Sequence, residues 1–296
     1  MDGPRIEVAG LTKRYGDVLA VDAVSFTAEP GRVTGFLGPN GAGKTTTLRS
    51  ALGLIAPTAG AITFSGRRFS QLPRPAAVVG AHLEPAFHPG RTGRDHLRTL
   101  APLAGVPDSR CDEVLAMVGL ADAAGRRVGG YSLGMRQRLG LATALLGDPA
   151  ALVLDEPANG LDPAGITWMR AFVRSFAARG GTVLLSSHLL AEVEQTVDDV
   201  VVIARGRIRH ASPLADLHAL ASPETVLRSP DEAGLRRLVS RWPDALMEDS
   251  VTAVIPGTTA AEVGAAAHAA QLEVHGLTER GESLERVFLR MTEEAA

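Results

Sequence analysis

Short apolar runs, each closed by a turn, recur along the first two thirds of the chain. Val33–Leu37, Ala76–Ala81, Leu152–Leu154, Thr182–Leu185 and Val200–Ala204 are apolar at nearly every position, without alternation. Runs of that length and continuity read as strands buried on both faces, as in a parallel sheet covered by helices. Shorter strands are expected at 5–9, 20–27 and 61–64, with a turn at Tyr15-Gly16-Asp17. A helix is expected over Thr45–Leu54 and an amphipathic one over Ala164–Arg179. Between about 94 and 147 the period changes to helical, at Asp95–Leu103, Asp112–Val118, Ala121–Ala124 and Ser132–Leu146, so this block is an insertion between sheet strands. The stretch 82–93, with Pro85, Pro89, Gly90 and Gly93, reads as a loop.

After about residue 220 the pattern restarts. Strands are expected at 225–228, 250–255 and 272–278, and helices at 231–241, 260–270 and 283–291. In the last helix Leu284, Val287, Phe288 and Met291 fall on one face. The expected organisation is an α/β nucleotide-binding core over 1–219 and a small C-terminal α+β domain over 220–296, the latter without a chemical motif.

The strand Val33–Leu37 runs into Gly38-Pro39-Asn40-Gly41-Ala42-Gly43-Lys44-Thr45-Thr46, and a helix follows. This is the G-x-x-x-x-G-K-[ST] phosphate loop in its confirming context. Its glycines let the backbone turn N–H groups inward, and with the helix N-terminus these hold phosphates. Lys44 is placed for the outer phosphates and Thr45 for magnesium. Composition sharpens this point. Of 30 basic residues only Lys13 and Lys44 are lysines, which leaves 28 arginines. A compact point charge therefore stands where one is needed, in a chain that otherwise uses arginine.

Leu152-Val153-Leu154-Asp155-Glu156-Pro157 ends a buried strand in two carboxylates. Asp155 suits magnesium and Glu156 suits deprotonating water. Ser132 and Gly134 open a capped helix, a second device for phosphate. Asn159-Gly160-Leu161-Asp162 follows the carboxylates, and His188 follows the next strand, where it can reach a terminal phosphate. The Tyr15 ring is able to stack on a base.

Together these stretches resemble the ATP-binding subunits of ABC transporters, over about residues 5–215. Residues 38–46 match the Walker A loop, 152–156 the Walker B strand, 131–135 the signature motif, 159–162 the D-loop and His188 the switch histidine. Tyr15 stands at the adenine-stacking position. The resemblance implies a P-loop NTPase core, with ATP and magnesium as cofactors. It also implies two copies of the chain sandwiching two ATP molecules, each nucleotide between one copy's phosphate loop and the other's Ser132 helix, with Gly134 and Asp162 at that junction. The helical block would couple closure to separate membrane permease subunits.

Two departures stand out. The signature reads Tyr-Ser-Leu-Gly-Met in place of the common Leu-Ser-Gly-Gly-Gln. No glutamine occurs in Val79–Pro85, where Glu84 is the best match to the family's metal-sensing glutamine. Both are similar to the exporter branch containing bacitracin-resistance and lantibiotic-immunity ATPases, as is the C-terminal domain.

The bulk numbers add limits. A net charge of −3 and a pI near 6.3 give no sign of a nucleic-acid partner. The single cysteine, Cys111, excludes an internal disulfide framework and suits a reducing compartment. No signal peptide is read at the polar opening Met1–Arg5, and no apolar run reaches membrane-spanning length. The expected location is cytoplasmic, peripheral on the inner face of the membrane. Rival readings are a soluble ABC ATPase acting on ribosomes or DNA, which lacks its usual second cassette or coiled coil here, and a non-catalytic switch, against which Glu156 and His188 both stand.

Overall fold

A computed structural model describes residues 3–84, 86–190 and 194–293. Pro85, of the expected loop, and Met1 and Asp2, of the polar opening, lie outside the described residues. The chain divides into two compact units, one running to Leu214 and taking in the described residues from Met291 on, the other over Ala215–Arg290.

The first unit is built on a six-stranded sheet of order β5-β6-β7-β3-β8-β9. Its strands are β3 (Val33–Leu37), β5 (Val79–His82), β6 (Ala151–Asp155), β7 (Thr182–Ser187), β8 (Asp199–Ala204) and β9 (Arg207–Pro213). The first five are mutually parallel and β9 pairs antiparallel with β8 at the edge. Strands β3 and β7 are buried at every position, as unbroken apolar runs require. The edge strand β9 alternates exposed and half-buried residues, and its polar composition hides it from a hydrophobicity reading.

A second sheet of order β2-β1-β4 is antiparallel throughout: β1 (Ile6–Tyr15), β2 (Val18–Ala28) and β4 (Ala59–Phe64). The two sheets enclose the core, in which Phe26 of β2 stacks on Phe36 of β3 with ring centroids 5.0 Å apart. Helix α1 (Lys44–Ala51) contributes Leu48 to the same core.

The apolar run at 76–81 is not one strand. Pro75–Val78 is a helical turn (α2) and only Val79–His82 extends. Pro75 stands at the first helical position, where its fixed φ and missing N–H favour a helix start.

Inserted between β5 and β6 are α3 (Gly93–Ala104), α4 (Ser109–Met117) and α5 (Leu133–Leu145), with 3-10 turns at Ala121–Ala123 and Val128–Gly130. Leu97, Cys111, Leu115, Val118, Leu139 and Ala142 are buried in this block. Burial pushes the Cys111 thiol up, so it stays protonated and inert. Helix α6 (Pro163–Ala178) joins β6 to β7.

In the second unit, α7 (Leu214–Ala219) leads into β10 (Pro223–Arg228), α8 (Glu232–Val239), β11 (Leu246–Met247), β12 (Thr252–Pro256), α9 (Ala260–Ala269) and β13 (Gly276–Gly281), before α10 (Leu284–Glu293). The sheet order β11-β12-β10-β13, all antiparallel, makes β10 to β13 a ferredoxin-like βαββαβ unit. Its core sets Leu227, Ala253 and Ile255 of the sheet against Leu235, Leu238 and Val263 of the helices. The strand expected at 272–278 begins at Gly276 instead, because Leu272 ends the preceding turn buried in that core. The fully buried Glu224 is held by Arg280 at 2.6 Å and Arg286 at 2.5 Å, which satisfies its charge.

Candidate nucleotide site

Strand order brings the chemistry together. Strand β3 delivers the phosphate loop, β6 delivers the carboxylates, and β7 lies between them. All three end at the same edge of the sheet, the usual ligand crevice of parallel α/β proteins.

The loop's shape depends on two glycines. A Cβ on Gly38 would come within 2.2 Å of the Ile203 carbonyl. Gly43, at φ 108°, caps α1 in the left-handed region, where a side chain would also meet the Ala20 carbonyl at 2.7 Å. The Gly38 N–H donates to the Ser187 carbonyl at 3.3 Å, tying the loop to the end of β7. Among the remaining loop residues, Ala42 is buried while Pro39, Asn40 and Gly41 lie on the turn; Thr46 follows in the first turn of α1.

Lys44 is 6% exposed. Its Nζ donates to the Gly38 carbonyl at 2.6 Å and the Pro39 carbonyl at 3.3 Å, and lies 3.4 Å from Glu156 Oε1. The Thr45 hydroxyl donates to Asp155 Oδ2 at 2.7 Å. Ser186 Oγ donates to Asp155 Oδ1 at 2.5 Å and accepts from the Glu156 backbone N–H at 2.9 Å. Glu156 Oε2 is 2.8 Å from His188 Nδ1. His188 is held by a turn in which the Leu189 N–H donates to Ser187 Oγ at 3.1 Å. Glu156 itself sits at φ 49°, a left-handed conformation that costs an acidic residue about 1 kcal/mol. From this position just past β6 its side chain contacts both Lys44 and His188.

A threonine hydroxyl and a carboxylate side by side are hard oxygen donors, the set magnesium takes when phosphates complete its shell. Thr45 and Asp155 fit that ion. Glu84 stands apart from them: its side chain is 87% exposed and faces Arg49 Nη2 at 3.5 Å.

The other expected residues occupy two further places. Ser132 caps α5, accepting from the Met135 N–H at 3.2 Å, and Asp162 caps α6, accepting from the Gly165 N–H at 2.8 Å. Both side chains are thus engaged in their own helix caps, apart from the Lys44 cluster. Ser132, Gly134 and Asp162 line one cleft of about 520 Å³. Leu133, at the departure from the usual glycine, covers Gly160, where an added Cβ would meet the leucine Cδ2 at 2.1 Å. Tyr131 is 4% exposed and donates from its hydroxyl to the Ala123 carbonyl at 2.7 Å, anchoring the chain just before Ser132. Tyr15 is 46% exposed at the end of β1, with Lys13 Nζ 4.8 Å from its ring centroid.

Sequence reasoning missed Ser186, which links the Asp155 carboxylate to the Glu156 backbone N–H, and a buried pair, His82 and Gln137. His82 Nε2 is 2.6 Å from Gln137 Oε1, and Gln137 Nε2 donates to the Asn159 carbonyl at 3.1 Å. Burial holds the His82 imidazole below its ordinary pKa, against the opposing hydrogen bond that it makes to Gln137 Oε1. The register of β6 with β7, which sets Asp155 beside Ser186, is the signal for Ser186, and it is a pairing no single strand discloses.

The ABC transporter family matches residues 21–159. An uncharacterized ABC transporter ATP-binding protein, YdbJ of Bacillus subtilis (strain 168), is 36% identical over 99% of this chain and 96% of its own. The chain belongs to the ABC transporter ATP-binding family. It is an ATPase of that family, with the expected P-loop NTPase fold. The bacitracin transport ATP-binding protein BcrA of Bacillus licheniformis is 44% identical over 72% of this chain and 71% of its own. The solved ATP-binding subunit of an ABC transporter overlays with a TM-score of 0.65 at 29% identity, covering 72% of this chain and 92% of that one. Among the described residues of this ABC ATPase no helix is long and apolar enough to cross a membrane.

Proposed function

We propose that this ABC ATPase powers an exporter by ATP-driven closure of two copies of the chain on separate membrane permease subunits. The carrying observation is the placement of the two phosphate-binding devices. Lys44, Thr45, Asp155, Glu156 and His188 form one cluster, while Ser132, Gly134 and Asp162 line a separate cleft. Each is half of a site, and a second copy supplies the complement. The relatives named for bacitracin transport support a role in transport.

In this reading the loop N–H groups and Lys44 hold the outer phosphates. Thr45 and Asp155 would hold magnesium, which would supply charge neutralisation at the phosphates. Glu156 Oε1, on the Lys44 side, accepts the proton of the attacking water, while His188 fixes Oε2. Tyr15 offers a half-exposed ring to adenine. Glu84 sits on the loop that leads into the helical block and serves as its metal-facing residue only if that loop moves on closure. The protein works at the cytoplasmic face of the membrane without contact to nucleic acid.

The test is Glu156→Gln. Turnover falls by about 10²–10⁴-fold, and the variant elutes as a dimer with ATP and a monomer without it, by light scattering. Retained turnover removes Glu156 as the base; a monomer under saturating ATP removes the sandwich.

A further inference from the structure

Three elements converge on one buried amide. His82 ends β5, Gln137 lies on α5, and Asn159 follows the carboxylate pair. His82 is 3% exposed and Gln137 9%. The Gln137 amide is used at both ends. Its nitrogen donates to the Asn159 carbonyl, so its oxygen faces the imidazole and His82 Nε2 carries the proton that it accepts. Room for the ring comes from Gly140, one turn further along α5, where a Cβ would lie 2.2 Å from His82 Cε1. The helix thus presents a glutamine and a bare backbone to the same imidazole.

Asn159 is the residue that closes the turn carrying Glu156, because its N–H donates to the Glu156 carbonyl at 3.1 Å. Ser186 holds the Glu156 N–H from the other side. The left-handed backbone of Glu156 therefore lies between two fixed points, and the second of them hangs on Gln137 and His82.

We propose that His82 and Gln137 are positioning residues for Glu156, a buried relay that holds the Glu156–Asn159 turn and ties it to the helix that Ser132 caps. This rests on the reading of Glu156 as the base. Removing the relay leaves the buried His82 imidazole without its partner and the Asn159 carbonyl without its side-chain donor, and frees the turn to drift. Drift of a reacting group by an ångström costs turnover without touching the phosphate loop.

The test uses the full chain, with steady-state ATP hydrolysis and separately measured ATP affinity. Gln137→Met keeps the side-chain volume and removes both hydrogen bonds. Its kcat falls about ten- to hundredfold, with KM and ATP Kd within about twofold of the parent. His82→Phe behaves alike, and the double variant is no slower than the slower single. His82→Gln, whose amide can donate to Gln137, recovers at least half of the lost kcat. A folded Gln137→Met with full kcat overturns the relay, as do equal losses in kcat and affinity, multiplicative losses in the double variant, or no recovery in His82→Gln. If Gln137→Met does not fold, the contrast between His82→Phe and His82→Gln decides the same point. Glu156→Gln is run alongside. Lost turnover there with full activity in Gln137→Met overturns the relay alone, whereas retained turnover in Glu156→Gln overturns the base reading and the relay with it.

Discussion

Lys44 Nζ lies 3.4 Å from Glu156 Oε1, so the phosphate-facing cation and the candidate base share one contact. The ammonium has three protons, and the Gly38 and Pro39 carbonyls take two of them. Lys44→Ala therefore removes a cation from the loop and the partner of a carboxylate. ATP affinity is expected to fall about 10- to 100-fold, the worth of a charged hydrogen bond of about 1.5–3 kcal/mol. Titration with a fluorescent ATP analogue checks this; unchanged affinity would remove Lys44 from the binding site.

Ser186 satisfies Asp155 and Glu156 with a single hydroxyl. Ser186→Ala leaves the Glu156 N–H and one Asp155 oxygen without this partner. Because Thr45 still holds the other Asp155 oxygen, ATP affinity should change little. The expected loss is in kcat, about tenfold, corresponding to one hydrogen bond of about 1–1.5 kcal/mol. Equal loss in kcat and affinity would mean that Ser186 serves the metal end alone.

His96 sits in α3 with its ring 4.9 Å from Phe87 and Nε2 3.3 Å from the Thr143 hydroxyl. Burial, and secondarily the Arg91 charge, hold its pKa below the ordinary value. The unfolded chain therefore gains a proton near pH ~6.5 that the folded chain refuses until lower pH. Stability contributed by neutral His96 is present above that value and is lost as the pH falls below it. Thermal unfolding at pH 7.5 and 5.5 measures the drop, and His96→Gln should make it smaller. An equal drop in the variant places the acid sensitivity elsewhere.

Tyr131 stands where the family's common form has leucine, and its hydroxyl reaches the Ala123 carbonyl inside the helical block. Tyr131→Phe should lower stability by about 1–3 kcal/mol, because the buried carbonyl loses its donor. Denaturant unfolding measures this, and a change under about 0.5 kcal/mol would make the bond dispensable. Turnover at low temperature should stay near the parent, since Ser132 keeps its own cap.

What sequence alone conveyed follows the nature of the signal. The phosphate loop, the carboxylate pair and Ser132 are each encoded in one contiguous stretch, and each stands on the kind of element its spacing implied. The expected strand Val33–Leu37 coincides with β3 because a short run with one polar side chain, ending at Gly38, leaves little choice. The run 76–81 misled because apolar content says nothing about φ, and Pro75 set the first turn. Strand β9 escaped because its pairing with β8, and not its composition, makes it a strand. The strands β1, β2 and β4 and the turn between the first two were legible one by one, but their union in a separate sheet was not, since Ile6 of β1 pairs with Phe64 of β4 far along the chain. For the same reason Ser186, His82 and Gln137 went unassigned: their partners lie 31, 55 and 22 residues away.

The Ser186 hydroxyl owns a single proton, which goes to Asp155, so hydrogen bonding through it runs one way, from the Glu156 amide to the Asp155 carboxylate. Thr45 feeds the same carboxylate from the opposite side. Asp155 is thus the common sink of two converging donors. Drawing electron density from that carboxylate weakens both of its hydrogen bonds together. The Glu156 amide, one bond further back, then loses part of its grip on a backbone that is already strained. The phosphate loop and the strand-end turn are in this way joined twice, once through the Asp155 carboxylate and once through the Lys44–Glu156 contact.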